Sequence, residues 1–195
     1  MRKRLVTIVI AVLLLVGAAL YLFPPSTPEP VYGGRKLSEW LPDYNYATTS
    51  ERHLRAEDAV RHIGTNALPF LLNWIDYQDT TAMTQARRAY NEVQHTTRRG
   101  RFWYNNRKER AYQAAHAIVT LGPEANATVP LLSRMLTADG DDRSRNAAYT
   151  LAHLGTNGVP PLQAALTNTN SNVRKVATNA LQRMAAEALT NAPPN

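Results

Sequence analysis

Small and aliphatic residues recur at helical spacing along most of this chain. The first copy of the pattern consists of Ala56, Ala59, Val60 and Ile63, with Gly64 directly after it. Residues three and four positions apart lie on one face of an α-helix, so this copy predicts a helix with one apolar side. The same spacings begin again at three later alanines, Ala114, Ala147 and Ala177. The pattern therefore predicts a series of related helices.

A glycine ends three of the predicted helices, and a proline follows each glycine within a few residues. Residues 64–69 (GTNALP) and 155–160 (GTNGVP) are identical at four of six positions. Glycine tolerates the left-handed backbone that often ends a helix, and proline is accepted in a first helical turn, where an N–H has no partner. Asn66 and Asn157 are predicted to cap the helices that follow. Each unit is thus predicted to be a helix, a glycine turn and a second helix.

The spacing of the copies indicates how the units assemble. The last three matched alanines lie 33 and 30 residues apart, whereas the first and second are separated by 58, so the first interval carries an insertion. One helical pair cannot bury its apolar face alone, but stacked pairs can. The sequence therefore predicts an array of stacked helical pairs.

This repeated frame resembles the HEAT-repeat family over about residues 51–186. Residues 172–177, with their Val-Arg-x-x-Ala core, carry the same resemblance. Residues 32–41, with Tyr-x-Gly and then Leu-x-x-Trp-Leu, are similar to the segment that follows the anchor in bacterial membrane-anchored members. The resemblance implies an all-α fold, a right-handed alpha-alpha superhelix, and use as a scaffold for protein binding.

An uncharged stretch near the N terminus predicts a membrane anchor. Residues 5–23 carry no charge, follow Arg2, Lys3 and Arg4, and precede two prolines. A helix of this length spans a hydrocarbon core of ~30 Å, and the positive flank is expected to stay in the cytoplasm. The rest of the chain is then placed outside the cytoplasmic membrane, in a single-pass protein. The alternative is a signal peptide cleaved near residues 17–19, after which the protein would be secreted.

These features predict four segments. The sequence predicts a transmembrane anchor at 1–23, an extended Pro/Gly-rich linker at 24–37, a HEAT-like helical solenoid at 38–190 with an insertion at about 79–108, and a disordered tail at 191–195. Within the insertion, residues 85–94 are predicted to be helical. A short amphipathic helix is predicted to begin at Ser38. Its Trp40 and Leu41 are expected to dock on the first repeat, with the membrane interface as the alternative.

The positive charge is concentrated in two places, so the net charge of +7 does not describe a basic domain. One is the N terminus, and the other is residues 87–110, with eight basic and two acidic residues around three consecutive aromatics. Guanidinium groups pair with carboxylates or phosphates, and aromatic rings stack or insert. The predicted partner-binding residues are Arg98, Arg99, Arg101, Trp103, Arg107 and Lys108. The alternative is that the aromatics pack into the core and the arginines are solvated.

The expected function is binding. The predicted topology and the basic insertion favour a scaffold on the outer face of the cytoplasmic membrane that binds a partner protein, or an anionic lipid or cell-wall polymer. Nucleic acid fits the chemistry of the insertion, but the predicted topology places it in another compartment.

Motifs that carry catalytic chemistry are scarce in this sequence. The chain has no cysteine, its histidines lack the spacing of metal ligands, and no serine lies in a G-x-S-x-G motif. His62 and His153 occupy equivalent repeat positions, which favours a structural role. No catalytic residue, cofactor or metal site is predicted, and the protein is not expected to be an enzyme. The alternative is a lyase-type or other enzyme on an alpha-solenoid fold.

Overall fold

The computed structural model describes residues 27–78, 80–97, 106–138 and 141–190, and these are mostly helical. In chain order the elements are β1 (Val31–Tyr32), β2 (Arg35–Lys36), α1 (Leu37–Trp40), α2 (Glu51–Ile63), α3 (Leu68–Ile75), α4 (Thr81–Thr97), α5 (Asn106–Thr120), α6 (Val129–Thr137), α7 (Asp141–His153), α8 (Val159–Ala165) and α9 (Ser171–Thr190). Short 3₁₀ segments lie at Leu41–Asn45, Gly64–Ala67, Gly122–Thr128 and Gly155–Gly158. The prediction of an all-α fold is confirmed, apart from the two short strands.

The predicted unit of helix, glycine turn and helix is present in the pairs α2–α3, α5–α6 and α7–α8. The turn glycines Gly64, Gly122 and Gly155 have φ values of 61°, 57° and 63°. These left-handed values explain the glycines, because a side chain is strained there. A proline lies in the first turn of each second helix.

Asn66 and Asn157 do not cap the second helices, so this prediction is wrong. The N-cap positions of α3 and α8 are Ala67 and Gly158, and neither helix has a side-chain cap. Both asparagines lie inside 3₁₀ segments that lead directly into the second helix. A capping residue normally has an extended backbone, and the N-cap residues here are already helical.

The first helices of successive units pack side by side. Helix α5 contacts α2, α7 contacts α5, and α9 contacts α7, while α6 and α8 contact each other on the side of the second helices. Small side chains allow the first helices to approach closely. The buried alanines of this layer are Ala56, Ala59, Ala111, Ala114, Ala115, Ala117, Ala147, Ala148, Ala152, Ala177 and Ala180. Leucine, isoleucine and valine fill the rest of one continuous core.

Residues 31–36 lie within the predicted extended linker, yet they form a β-hairpin. Val31 pairs with Lys36 and Tyr32 pairs with Arg35. The two turn residues, Gly33 and Gly34, both have positive φ, at 57° and 77°. A two-residue hairpin turn of this kind needs positive φ at both central positions, so the glycine pair determines the hairpin.

The segment after the hairpin is docked on the first repeat. Trp40 and Leu41 are buried in the common core, together with Tyr44. The indole N–H of Trp40 donates to the carbonyl of Tyr32, at 3.2 Å. Docking, rather than a membrane interface, therefore describes the position of this segment, and it covers the end of the array that α2 would otherwise expose.

The predicted membrane anchor and the predicted C-terminal tail, residues 191–195, lie outside the described residues. Within the described ranges, no helix combines the length and apolar character needed to cross a membrane.

Replacing Gly158 with alanine is expected to destabilise the fold by about 1–3 kcal/mol. A Cβ atom at this position would overlap the carbonyl oxygen of Leu151 on α7. Chemical denaturation of the full-length chain in detergent measures the loss, with Thr156→Ala, at an exposed position of the same 3₁₀ segment, as the control. Equal unfolding free energies for Gly158→Ala and the control would contradict this packing.

Candidate interaction surfaces

The predicted partner-binding residues fall partly within the described structure. Arg98, Arg99, Arg101 and Trp103 lie outside the described residues. Arg107 and Lys108 lie in the first turn of α5. Upstream, α4 includes the predicted helical segment 85–94, and none of its side chains that the structure describes is buried.

Lys108 and Arg107 have different surroundings. The ammonium group of Lys108 pairs with the carboxylate of Asp142, which ties the start of α5 to the start of α7. The guanidinium of Arg107 lies 5.3 Å from the ring centre of Tyr77. The structure therefore gives Lys108 a structural contact and places Arg107 against an aromatic surface.

A cleft opens beside Arg107, between the end of α3 and the start of α5. Its volume is about 370 Å³. Arg110 lies 5.5 Å from the ring centre of Trp74, which repeats the pairing of arginine and ring made by Arg107. This arginine–aromatic cleft is lined by Asn73, Trp74, Asp76, Tyr77, Arg107 and Arg110. Trp74, Tyr77 and Arg110 are absent from the sequence prediction, although the two aromatics directly precede the insertion.

Matched positions of the repeats also meet on the layer of first helices. The residue two positions before each turn glycine is His62, Thr120 or His153. Each forms a hydrogen bond with the carbonyl four residues earlier, at 2.9 Å, 3.2 Å and 2.8 Å. A carbonyl only accepts hydrogen bonds, so the proton lies on Nδ1 in both histidines. This shared bond gives a physical basis for the structural role predicted for His62 and His153.

A row of aromatic rings crosses from α5 to α7. Its members are Tyr112, His116, Tyr149 and His153, with successive ring centres 4.4 Å, 4.5 Å and 4.3 Å apart. His116 and Tyr149 occupy equivalent repeat positions, six before the turn glycine. The hydroxyl of Tyr149 lies 2.9 Å from Nδ1 of His116. The row therefore joins two neighbouring units through side chains that the repeat brings together.

Both members of this hydrogen bond are neutral near pH 7. Burial lowers the pKa of His116 to about 4, and the charges of His153 and His53 act in the same direction. Burial raises the pKa of Tyr149 to about 12, with a further contribution from Tyr112. The hydrogen bond therefore joins a neutral phenol and a neutral imidazole. Nε2 of His116 is buried without a hydrogen-bond partner among the described residues.

A second cleft lies between α5, α7 and α9, along this aromatic row. Its volume is also about 370 Å³. Alanines from α7 and α9 form part of its lining, and we call it the first-helix cleft. Its polar lining residues include Arg145, Asn146, Tyr149, His153, Asn179 and Arg183.

Sequence reasoning misses the first-helix cleft because it follows only the apolar repeat positions. The last two copies are offset by 30 residues, which matches Tyr149 with Asn179 and His153 with Arg183. The exposed positions of each copy therefore contain the signal for this cleft.

Comparison of the chain with protein-family models, curated proteins and solved structures gives no match.

Lowering the pH from about 7 to about 4.5 is expected to destabilise the protein through His116. In the unfolded chain its pKa is about 6.5, whereas the folded value is about 4. The unfolded state therefore binds more protons in this window, and the stability that His116 contributes falls as the pH drops from about 6.5 to about 4.

Urea unfolding of the full-length chain at the two pH values measures this effect. The natural protein should lose more stability than His116→Gln, since glutamine does not titrate. An equal loss in both proteins would show that His116 is not the group responsible.

Proposed function

We propose that this protein is a membrane-anchored HEAT-repeat scaffold that binds a partner protein on the outer face of the cytoplasmic membrane. The observation that supports this best is the arginine–aromatic cleft at the base of the basic insertion. We also infer that the stacked units continue as the right-handed superhelix of HEAT repeats, in line with their glycine turns and first-turn prolines.

The chemistry of the arginine–aromatic cleft favours an anionic partner. Arg107 and Arg110 are exposed and lie over aromatic rings. A guanidinium over a ring face can still direct N–H groups from its edge toward a carboxylate or a phosphate. In the sequence, residues 98–104 precede Arg107 closely and carry three arginines and three aromatics. The sequence beside the cleft residues is therefore of the same basic and aromatic character.

A protein partner fits this surface better than a lipid headgroup or a wall polymer. Arginine, tyrosine and tryptophan are the residues in which protein interfaces are enriched. A headgroup or a polymer would use the arginines but has less need of Trp74 and Tyr77. An anionic lipid or a wall polymer is therefore the alternative ligand for the same arginines.

The membrane part of the proposal rests on residues 5–23. Their length and lack of charge suit a single spanning helix, and the basic N terminus favours an outward-facing repeat domain. Nucleic acid is disfavoured as a partner on the same grounds.

Catalysis is the weaker candidate. His116 and Tyr149 form a hydrogen-bonded pair of titratable groups, and Tyr149 lines the first-helix cleft. A catalytic acid or base works best with a pKa near the working pH. The pKa values here are displaced to about 4 and about 12, away from neutrality on either side. This pair is therefore poorly suited to acid–base catalysis near neutral pH.

Charge reversal at Arg107 and Arg110 is expected to weaken partner binding by at least about tenfold, because two desolvated charge pairs are lost. Spheroplasts carrying the full-length tagged chain are treated with a membrane-impermeant cross-linker, and cross-linked proteins are quantified by mass spectrometry. The charge-matched control is Arg134→Glu with Lys175→Glu, at exposed positions on α6 and α9. A third variant reverses Arg98, Arg99 and Arg101.

The proposal requires a cross-linked protein that the natural chain and the control both retain. Equal cross-linking in the Arg107→Glu/Arg110→Glu variant would refute this binding surface. Cross-linking that needs permeabilised membranes would refute the outward topology. Retention on purified walls or on anionic vesicles, with no cross-linked protein, would favour the polymer or lipid alternative.

A further inference from the structure

We propose that the first-helix cleft is a second binding site, which takes a carboxylate-bearing segment of a polypeptide with an apolar side chain beside the carboxylate. It shares no lining residue with the arginine–aromatic cleft. The inference therefore goes beyond the proposed function and holds for a different surface.

One amide in this cleft is available to a ligand. Asn146 is only 8% exposed, and it lines the cleft from α7. Its backbone carbonyl accepts a hydrogen bond from Thr150, at 2.9 Å. Its side-chain amide, in contrast, has no hydrogen bond to any residue in the described part of the chain. The amide nitrogen and oxygen are not among the enclosed unpaired atoms of the described residues, so they are open to the cleft and available to a ligand.

The charges around the cleft specify an anion. Arg145 lines it from α7 and Arg183 lines it from α9. Arg145 makes one ion pair, with Asp142 at 3.1 Å, and Arg183 has no ion pair within the described ranges. No aspartate or glutamate is among the described residues that line the cleft. The acidic groups that act on lining residues are Asp142, through its pair with Arg145, and Glu187, whose charge acts on Tyr149. A carboxylate between the two arginines would gain charge-assisted hydrogen bonds.

The walls of the cleft favour a peptide over a carbohydrate. Ala148, Ala152 and Ala180 provide apolar surface, which suits an aliphatic or aromatic side chain. Sugar hydroxyl groups on that surface would lose hydrogen bonds to water without replacement. The amides of Asn146 and Asn179 offer both donors and acceptors for a peptide backbone.

The geometry of one wall is fixed before any ligand arrives. Tyr149 is held by its hydrogen bond to His116 and lies against the ring of His153. A side wall that is already ordered lowers the conformational cost of binding. The cleft volume of about 370 Å³ has room for one or two side chains, so the site binds a short segment of a polypeptide.

The test uses the full-length, ¹⁵N-labelled chain in detergent micelles and three small ligands. N-acetylphenylalanine carries a terminal carboxylate, N-acetylphenylalanine amide lacks it, and N-acetylglutamate N′-methylamide carries a side-chain carboxylate. Saturable shifts of the side-chain NH₂ signals of Asn146 and Asn179 are expected with at least one carboxylate ligand. The amide should bind at least about fivefold more weakly. The carboxylate ligand that binds more tightly shows whether the natural carboxylate belongs to a chain terminus or to an acidic side chain.

Variants separate this site from general attraction to a basic protein. Arg183→Gln is expected to weaken binding of the carboxylate ligand about tenfold. Lys175→Gln removes one charge from the same helix outside the cleft and should change it less than about twofold. Arg107→Glu, in the other cleft, should leave it unchanged, which keeps this result independent of the proposed function.

Three results would overturn the inference. One is the absence of shifts at both asparagine amides with every carboxylate ligand. Another is an effect of Lys175→Gln as large as that of Arg183→Gln. The third is tighter binding of an oligogalacturonate than of either carboxylate ligand, which would assign the cleft to an anionic polymer.

Discussion

Close approach of the first helices through alanine side chains is the constraint on which this structure depends. Ala117 and Ala147 are fully buried in the layer where α5 meets α7, as is Ala177 on α9. A larger side chain at such a position would separate the helices, because a packed core has no spare volume. The positive φ of the turn glycine then returns the chain to the second helix. Each unit repeats this geometry, so equivalent positions of neighbouring units come to lie side by side.

The exposed positions that the repeats bring side by side have different surroundings in the first unit and in the later units. At the first unit, the hairpin covers the positions two and six before the turn glycine, which are His62 and Asp58. The ring of Tyr32 stacks on His62 at 4.6 Å, and its hydroxyl donates to Asp58 at 3.3 Å. At the later units, the equivalent positions of α7 and α9 line the first-helix cleft instead. The cap therefore closes one end of the array and leaves the equivalent positions of the C-terminal units to line the cleft.

The sequence predicts the parts of the fold that depend on local backbone chemistry. The turn glycines, first-turn prolines and alanine spacing have the positions expected of them, because each acts within its own turn or helix. The asparagine caps fail, because Asn66 and Asn157 lie in segments that are already helical. The first-helix cleft depends on contacts between helices of neighbouring units, such as that of Tyr149 with His116, 33 residues away, and apolar periodicity carries no information about them. The predicted binding residues Arg98, Arg99, Arg101 and Trp103 remain a prediction.

The central claim is that neighbouring units are stacked so that equivalent positions meet. The natural chain has no cysteine, so a pair introduced as His116→Cys and Tyr149→Cys reports on that stacking without background. A short bismaleimide should link this pair within one molecule, as identified by mass spectrometry of the linked peptides, because the natural side chains lie 2.9 Å apart. The matched pair Asp58→Cys and Tyr149→Cys, on helices that are not neighbours, should remain unlinked. Equal linking of the two pairs, or no linking of the first, would contradict the stacked arrangement and the surfaces derived from it.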